Sequence, residues 1–472
     1  MSCVSITATA DSPFAAVLSS APPAALLAVP PMVTGSMPAV DAAAPTAVAR
    51  PFAAAGSPTP APVAGATGSL PPSLPVTPRA SPSAAASSSM APLESASAAP
   101  VDAVASAAPV PGVTGRQLDV RTRRKLETIM RKTVGKKRVA GLQVAVRMPD
   151  GQTWLGSAGE AEFLPDRPVE DDTVFSIASV TKTFIAALIL QLAEEGKLDL
   201  DAPFGTYFDD APRKDSVTIR QLLSHRSGIY NYFENPRYYR ISRAWLRASS
   251  APGLLARDYR WTYDEIMDLV KTGYFKPGES YHYSNTNYVI LGRIAEAVGG
   301  APLHEQLRTR FFEPLGLGDT YYQPAEVPPA DAAHGHWDYG SGYADHTRDA
   351  RVLPFMAAVS VADAAGAIAS TAGDLATWAE ALYGGRVLSE ESLMQMTTIL
   401  EPGAYGLGTD VAVFAGHRGY GHRGGLRGFE ASMWYFPKDG VAVVLLSNQG
   451  NWLTDVPMEK LVRAVLGKAR AR

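Results

Sequence analysis

The chain has 472 residues, a formal net charge of -3 and 19% charged residues, which allows a large core and gives no basic face for nucleic acid. No apolar run is long enough to span a bilayer. The lone cysteine, Cys3, excludes an intramolecular disulfide.

Residues 1–115 are dominated by Ala, Pro, Ser, Val and Gly, with sparse charges and prolines in every run. Such a segment buries too little apolar surface to offset its ordering entropy, so it reads as a disordered tail or linker before a domain at 116–472. Its Ala24 to Val29 stretch is short for a secretory core, and no Lys or Arg precedes it. Gln117 to Thr133 has helical spacing, closed by Lys136-Lys137-Arg138. Leu142, Val144, Val146 and Met148 alternate with Gln143, Ala145 and Arg147, the pattern of a strand. Pro149-Asp150-Gly151 turns the chain into a second strand, Gln152 to Ala158.

Ser179-Val180-Thr181-Lys182 follows, at the head of the apolar run Phe184 to Leu190. A serine three residues before a lysine on a helix puts both side chains on one face. An alcohol needs an adjacent base to act as a nucleophile, and burial lets a lysine be that base. Alone, the motif is weak evidence, because on many helices such a serine is only an N-cap. The insert from Tyr230 to Trp261 carries Tyr230, Tyr232, Phe233, Tyr238, Tyr239 and Trp245, which either wall a substrate cleft or pack on one another.

Tyr283-Ser284-Asn285 lies between a Pro-Gly turn and an apolar helix, Val289 to Val298. A phenol there can pass a proton to a leaving group, its pKa falling beside an ammonium, and an asparagine amide can both donate to and accept from a substrate amide. The bland alternative is a packed tyrosine and a capping asparagine. His334, His336 and His346, among Asp331, Asp338 and Asp345, lack a trusted metal-ligand spacing, and no metal is expected. Gly421-His422-Arg423-Gly424-Gly425-Leu426-Arg427-Gly428-Phe429 precedes two strands, Ala431 to Phe436 and Val441 to Ser447, joined as a hairpin by Pro437-Lys438-Asp439-Gly440. Glycines there let a substrate backbone approach a strand edge. A helix from about Asp455 to Leu466 ends the pattern.

In this order, Ser-Val-Thr-Lys, Tyr-Ser-Asn and His-Arg-Gly resemble the three motifs of the serine β-lactamase and penicillin-binding-protein hydrolases. Within that family they are closest to the secreted D-alanyl-D-alanine carboxypeptidases of the class C branch. The stretches Leu222-Leu223-Ser224-His225-Arg226-Ser227-Gly228 and Glu313-Pro314-Leu315-Gly316-Leu317, and the run from Ala364 to Leu375, are similar to further family segments. The resemblance implies an α/β fold in which helices flank an antiparallel sheet and a helical lobe is inserted. It also implies an acyl-enzyme mechanism that needs no cofactor. Ser179 would be the nucleophile, Lys182 its base and Tyr283 the proton relay. Asn285 would hold the substrate amide, His422 would support Tyr283 or an anionic substrate end, and the N–H groups of Ser179 and Gly425 would hold the oxyanion.

Two departures bear on substrate. Arg423 and Gly425 replace hydroxyl residues of the third motif, and no arginine follows Tyr405-Gly406-Leu407-Gly408. Arg423 or Arg427 is therefore the expected partner of a substrate carboxylate. The expected partner molecule is a small molecule or peptide of the cell-wall type, with the protein in the cell envelope or outside the cell. An esterase, a β-lactamase or a penicillin-binding sensor that does not turn over are the alternatives.

Overall fold

The computed structural model describes residues 118–135, 139–163, 166–241, 259–337, 355–401, 405–450 and 454–469. The tail reading, Cys3, the Lys136-Lys137-Arg138 cluster, Trp245, Asp338, Asp345 and His346 fall outside them. Seven strands form the main sheet: β1 (Gly141–Arg147), β2 (Thr153–Phe163), β3 (Asp166–Pro168), β4 (Asp410–Phe414), β5 (His417–Leu426), β6 (Phe429–Phe436) and β7 (Val441–Ser447). Their order is β3-β2-β1-β7-β6-β5-β4, and every neighbouring pair is antiparallel. The early hairpin and the late hairpins meet where β1 pairs with β7, Val144 opposite Leu445 and Val146 opposite Val443. Both of these strands are buried on both faces, which explains the apolar run of β7, while β1 keeps Gln143 inside by donating its amide to the Glu170 carbonyl at 2.7 Å.

Alternation along the strands gives each sheet face its own core. Val144, Val146, Trp434, Val443 and Leu445 pack on one side against helices α1 (Val120–Val134) and α5 (Asp455–Leu466), through Leu126, Met130, Met458 and Leu461. Asp119 caps α1 by accepting the Thr122 N–H at 2.8 Å. On the other face Ala145, Ala431, Met433, Val444 and Leu446 join a larger core with α2 (Thr181–Glu194), α3 (Asn285–Gly299) and α4 (Ala372–Tyr383).

Helix α2 is apolar on every side and buried along almost its whole length, as such a helix must be. Trp378 of α4 holds it in place. Its ring stacks on Phe184 at 3.9 Å between centroids and 8° between planes, and its indole donates to Thr183 Oγ1 at 2.9 Å. The expected helical middle is sparser than its sequence suggests: short turns such as Ile219–Leu223 and Tyr263–Met267 alternate with loops and a small three-stranded sheet. No described helix is long and apolar enough to cross a membrane.

Because Trp378 anchors the helix that carries Lys182, Trp378→Ala should cost about 3–5 kcal/mol in urea unfolding. A loss under about 1 kcal/mol would show that the helix is held elsewhere.

Candidate active site

Ser179 lies in a single turn, Ala178–Val180, that leads directly into α2. Ala178 takes a left-handed conformation, φ 48°, which a residue with a Cβ adopts only under constraint. The neighbouring strand explains how the turn is approached so closely. Gly424 of β5 lies over it, and a Cβ there would fall 2.2 Å from the Ile177 carbonyl oxygen and 3.1 Å from the Ser179 nitrogen. Strand β4 pairs with β5 only along His417–Gly421, so among the described residues no strand covers the outer edge of His422–Leu426. Ser179 thus stands beside an open strand edge.

Lys182 is fully buried, and its Nζ reaches three acceptors: Ser179 Oγ at 3.0 Å, Asn285 Oδ1 at 2.9 Å and the Ala365 carbonyl at 2.6 Å. Burial drives its pKa well below the ordinary lysine value. A neutral amine has two protons and one lone pair. Asn285 and Ala365 can take the two protons, which turns the lone pair toward the Ser179 hydroxyl.

Tyr283 also hydrogen-bonds Ser179, and its ring centroid is 4.9 Å from Lys182 Nζ. Here the sequence expectation is corrected. Burial raises the Tyr283 phenol well above its ordinary value, outweighing the opposing bond to Ser179, and the neighbouring lysine is itself disfavoured as an ammonium. Tyr283 is therefore an O–H donor. Its segment is braced by His225, a buried residue with φ 58° whose Nδ1 accepts the Ser284 N–H at 3.1 Å and whose ring lies 4.1 Å from that of Tyr283.

Asn285 opens α3. Its Oδ1 accepts from Lys182, while its backbone N–H and Nδ2 reach Asn231 Oδ1 at 3.3 and 3.4 Å. One Nδ2 proton remains for a substrate carbonyl.

His422 is buried, its Nε2 2.8 Å from the Tyr405 hydroxyl and its Nδ1 against the Arg423 carbonyl. The carbonyl fixes the proton on Nδ1, so Nε2 accepts from Tyr405. Burial, with Lys182 next, lowers its pKa to about 3. It is neutral and has no charge to offer an anionic substrate end, which corrects that expectation.

Arg423 is the third correction. Residues alternate across a strand, so Gly424 faces the Ser179 turn and Arg423 the opposite side. There Nη1 donates to Asp410 Oδ2 at 2.6 Å, Nε and Nη2 reach the Asp455 carboxylate at 2.9 and 3.3 Å, and the guanidinium stands 4.9 Å from the Trp434 ring. It ties β4 and α5 to β5 and does not enter the site. Gly425 is exposed on the open edge.

Asn231, Tyr405 and the Ala365 carbonyl belong to the site and were not singled out by sequence. A backbone oxygen leaves no signal, and Asn231 is hidden among the aromatics of its insert. Of those aromatics, Tyr232 and Tyr238 are buried in packing, Tyr232 donating to the Val361 carbonyl. Tyr230 stacks on Tyr274 at 5.3 Å and is partly exposed. His334 sits 3.2 Å from Glu162, His336 packs edge-on to Phe163, and no group of three metal-ligating side chains gathers among the described residues.

A serine held by a buried lysine beside the open edge of an antiparallel sheet is the architecture of an active-site-serine hydrolase. The chain belongs to the Beta-lactamase family, whose model matches residues 126–468. It is similar to a D-aminopeptidase of Brucella anthropi, 28% identical over 354 residues that cover 72% of this chain and 62% of the relative. Among solved structures it is similar to the D-amino acid amidase from Ochrobactrum anthropi SV3, with 29% identity, a TM-score of 0.62, and coverage of 73% of this chain and 98% of the other. A D-stereospecific amidohydrolase from Streptomyces sp. gives 27% identity, a TM-score of 0.62, and coverage of 73% and 99%. The chain spans about half to two thirds of the length of most curated relatives it matches, penicillin-binding proteins and an esterase among them.

Two outcomes test this electrostatic reading. The folded state disfavours the Lys182 ammonium, whereas the unfolded chain keeps it up to about pH 10.5. Unfolding then takes up a proton between the lowered and ordinary pKa values, and stability rises with pH in that window. The stability of wild type minus that of Lys182→Met should climb by about 1.4 kcal/mol per pH unit there. A flat difference in urea unfolding from neutral to alkaline pH would mean a charged Lys182.

Arg423→Thr should lower turnover of a free-acid peptide and of its amide by the same factor. Its side chain keeps 37% of its surface exposed, so screening holds the stability loss to about 1–2 kcal/mol. A selective loss on the free acid would return Arg423 to the substrate.

Proposed function

We propose that the protein is a serine acyl hydrolase working through an acyl-enzyme, and that its substrates are amides or peptides of D-configured residues. The observation that carries this is the Lys182 Nζ, buried, disfavoured as an ammonium and 3.0 Å from Ser179 Oγ. Ser179 attacks the acyl carbonyl while Lys182 takes its proton. The oxyanion rests on the backbone N–H groups of Ser179 and Gly425. The second assignment follows from ladder alternation: the two-residue turn Arg427-Gly428 joins Leu426 to Phe429, which bond to each other, and one step along the strand turns the Gly425 N–H to the open edge. As the carbonyl re-forms, the C–N bond breaks and Tyr283 gives its proton to the leaving nitrogen, recovering one from Lys182, which had taken it from Ser179. Water then attacks the ester, and the same groups move its proton back to Ser179.

The family resemblance alone favours a D-alanyl-D-alanine carboxypeptidase. That activity wants a cation for the terminal carboxylate; of the three side chains assigned to it, Arg423 binds Asp410 and Asp455 and His422 is neutral, which leaves Arg427 in the turn after β5. An amidase or aminopeptidase needs no such contact. The likeness to a D-aminopeptidase, a D-amino acid amidase and a D-stereospecific amidohydrolase supports the same choice. Substrates of this kind occur in the cell wall, consistent with a place in the cell envelope.

A panel of a D-amino acid amide, a D-Ala-D-Ala peptide, a p-nitrophenyl ester and a chromogenic cephalosporin tests this choice. The amide and the ester should be turned over faster than the free-acid peptide, and Ser179→Ala should abolish all acylation while preserving the circular dichroism spectrum. Preference for the D-Ala-D-Ala peptide would restore the carboxypeptidase reading. Covalent labelling of any residue other than Ser179 would sink the mechanism.

A further inference from the structure

We propose that His225 is a positioning residue for the Tyr283 proton, and that it decides whether the site expels amines or only acidic phenols. The inference rests on the reading of Ser179 as nucleophile and Tyr283 as proton donor, and adds the element that holds the donor in place.

One residue grips the chain on both sides of Tyr283. The His225 carbonyl accepts the His282 N–H at 3.1 Å, and its Nδ1 accepts the Ser284 N–H at 3.1 Å. At φ 58° the backbone of His225 is left-handed, a costly conformation for a residue with a Cβ, and in it carbonyl and imidazole face the same neighbouring segment. The imidazole lies 4.1 Å from the Tyr283 ring, tilted by 37°. Two bonds and one ring contact thus restrain the phenol beside Ser179, its hydrogen-bond partner. The grip is itself anchored to α3. Ser227 Oγ donates to Asn287 Oδ1 at 2.7 Å, Asn287 Nδ2 donates to the Leu222 carbonyl at 3.0 Å, and the Tyr288 hydroxyl donates to the Leu223 carbonyl at 2.9 Å.

Packing alone does not account for a histidine here. The residue is fully buried, and its Nε2 has no hydrogen-bond partner among the described residues. With Nδ1 accepting, the neutral ring carries its proton on Nε2, so a polar N–H is buried among the rings of Tyr288 and Tyr405, 5.2 and 4.8 Å away. An unpaired buried donor is destabilising, and an apolar ring would fill the space without it. What the imidazole offers in return is the Nδ1 lone pair. Burial, with Lys182 next, holds the ring neutral, so that lone pair stays free for Ser284.

The consequence falls on the leaving group. When the C–N bond of an amide breaks, the nitrogen needs a proton from Tyr283. When the C–O bond of a p-nitrophenyl ester breaks, the phenoxide leaves with the electron pair and no proton. Loosening Tyr283 therefore penalises amides and spares activated esters.

The test measures kcat/KM, which reports the steps through acylation, for the amide and the p-nitrophenyl ester of one D-amino acid. His225→Ala should lower the value for the amide by about thirty- to a hundredfold and for the ester by less than about threefold. His225→Asn should recover most of the amide loss, because its Oδ1 stands where Nδ1 stood and asparagine tolerates the left-handed backbone. On a Tyr283→Phe background, His225→Ala should cost the amide less than about threefold, since its effect passes through the phenol. An equal fall for amide and ester, no recovery by His225→Asn, or a full loss on the Tyr283→Phe background overturns the proposal and leaves His225 a packing residue. A different result is a Tyr283→Phe variant with an unchanged amide-to-ester ratio, which removes the phenol as proton donor and the role of His225 with it. If neither His225 variant folds, hydrogen exchange of the wild type decides. The His282 and Ser284 N–H groups should then exchange as slowly as those of β1, and exchange at the rate of exposed loops overturns the proposal.

Discussion

The lysine nitrogen at the head of α2 is shut away from water, and most of what surrounds it follows from that placement. A buried ammonium would need a counter-charge, and the three atoms within reach of Lys182 are a hydroxyl, an amide oxygen and a backbone carbonyl. None carries a full charge, so the group is held as an amine. The burial requires an apolar helix behind it, which α2 provides, and a flat aromatic wall behind that helix, which Trp378 provides. The same dryness keeps His422 neutral and Tyr283 protonated. Chemistry at this centre therefore runs on neutral groups moving protons, with charge appearing only on the reacting atoms.

The second constraint is parity along β5. His422 and Gly424 face the serine turn while Arg423 faces α5, because successive side chains leave a strand on opposite sides. A motif read as a string gives the three residues one environment, whereas the fold gives them two. Arg423 thereby becomes a clamp between β4 and α5, and the cation that a carboxylate-ended substrate would want is withdrawn from the cleft. Shape follows the same logic: Gly424 lets the strand touch the nucleophile's turn, and the shortness of β4 leaves the adjoining edge open for a substrate backbone.

Much of this was legible in the sequence. Alternation in Leu142–Met148 and Val441–Ser447 and the apolar run after Lys182 marked β1, β7 and α2, and Asp455–Leu466 matched its helix at both ends. The Tyr-Ser-Asn segment was placed correctly at a helix entrance, although α3 begins at Asn285 and not at Val289. What could not be read were quantities set by tertiary packing. The direction of the Tyr283 shift depends on how much water is excluded, and the partners of Arg423 lie 13 positions before it and 32 after it. Asn231 enters the site through a loop with no repeating pattern, and the Ala365 carbonyl has no side chain to announce it.

The pairing of β1 with β7 has a consequence for how the protein is made. Val146 pairs early with Trp154 of β2, but it finds its second partner only at Val443, 297 positions later (443 - 146). At roughly 5–20 residues per second, a ribosome needs about 15–60 s to supply that strand once β1 has been built. Through that interval β1 has only β2 and β3 beside it, and the largely apolar α2 lacks the late strands that complete its core. Exposed apolar surface of this kind is what chaperones shield, so the early segments are where synthesis of this fold is most exposed to aggregation.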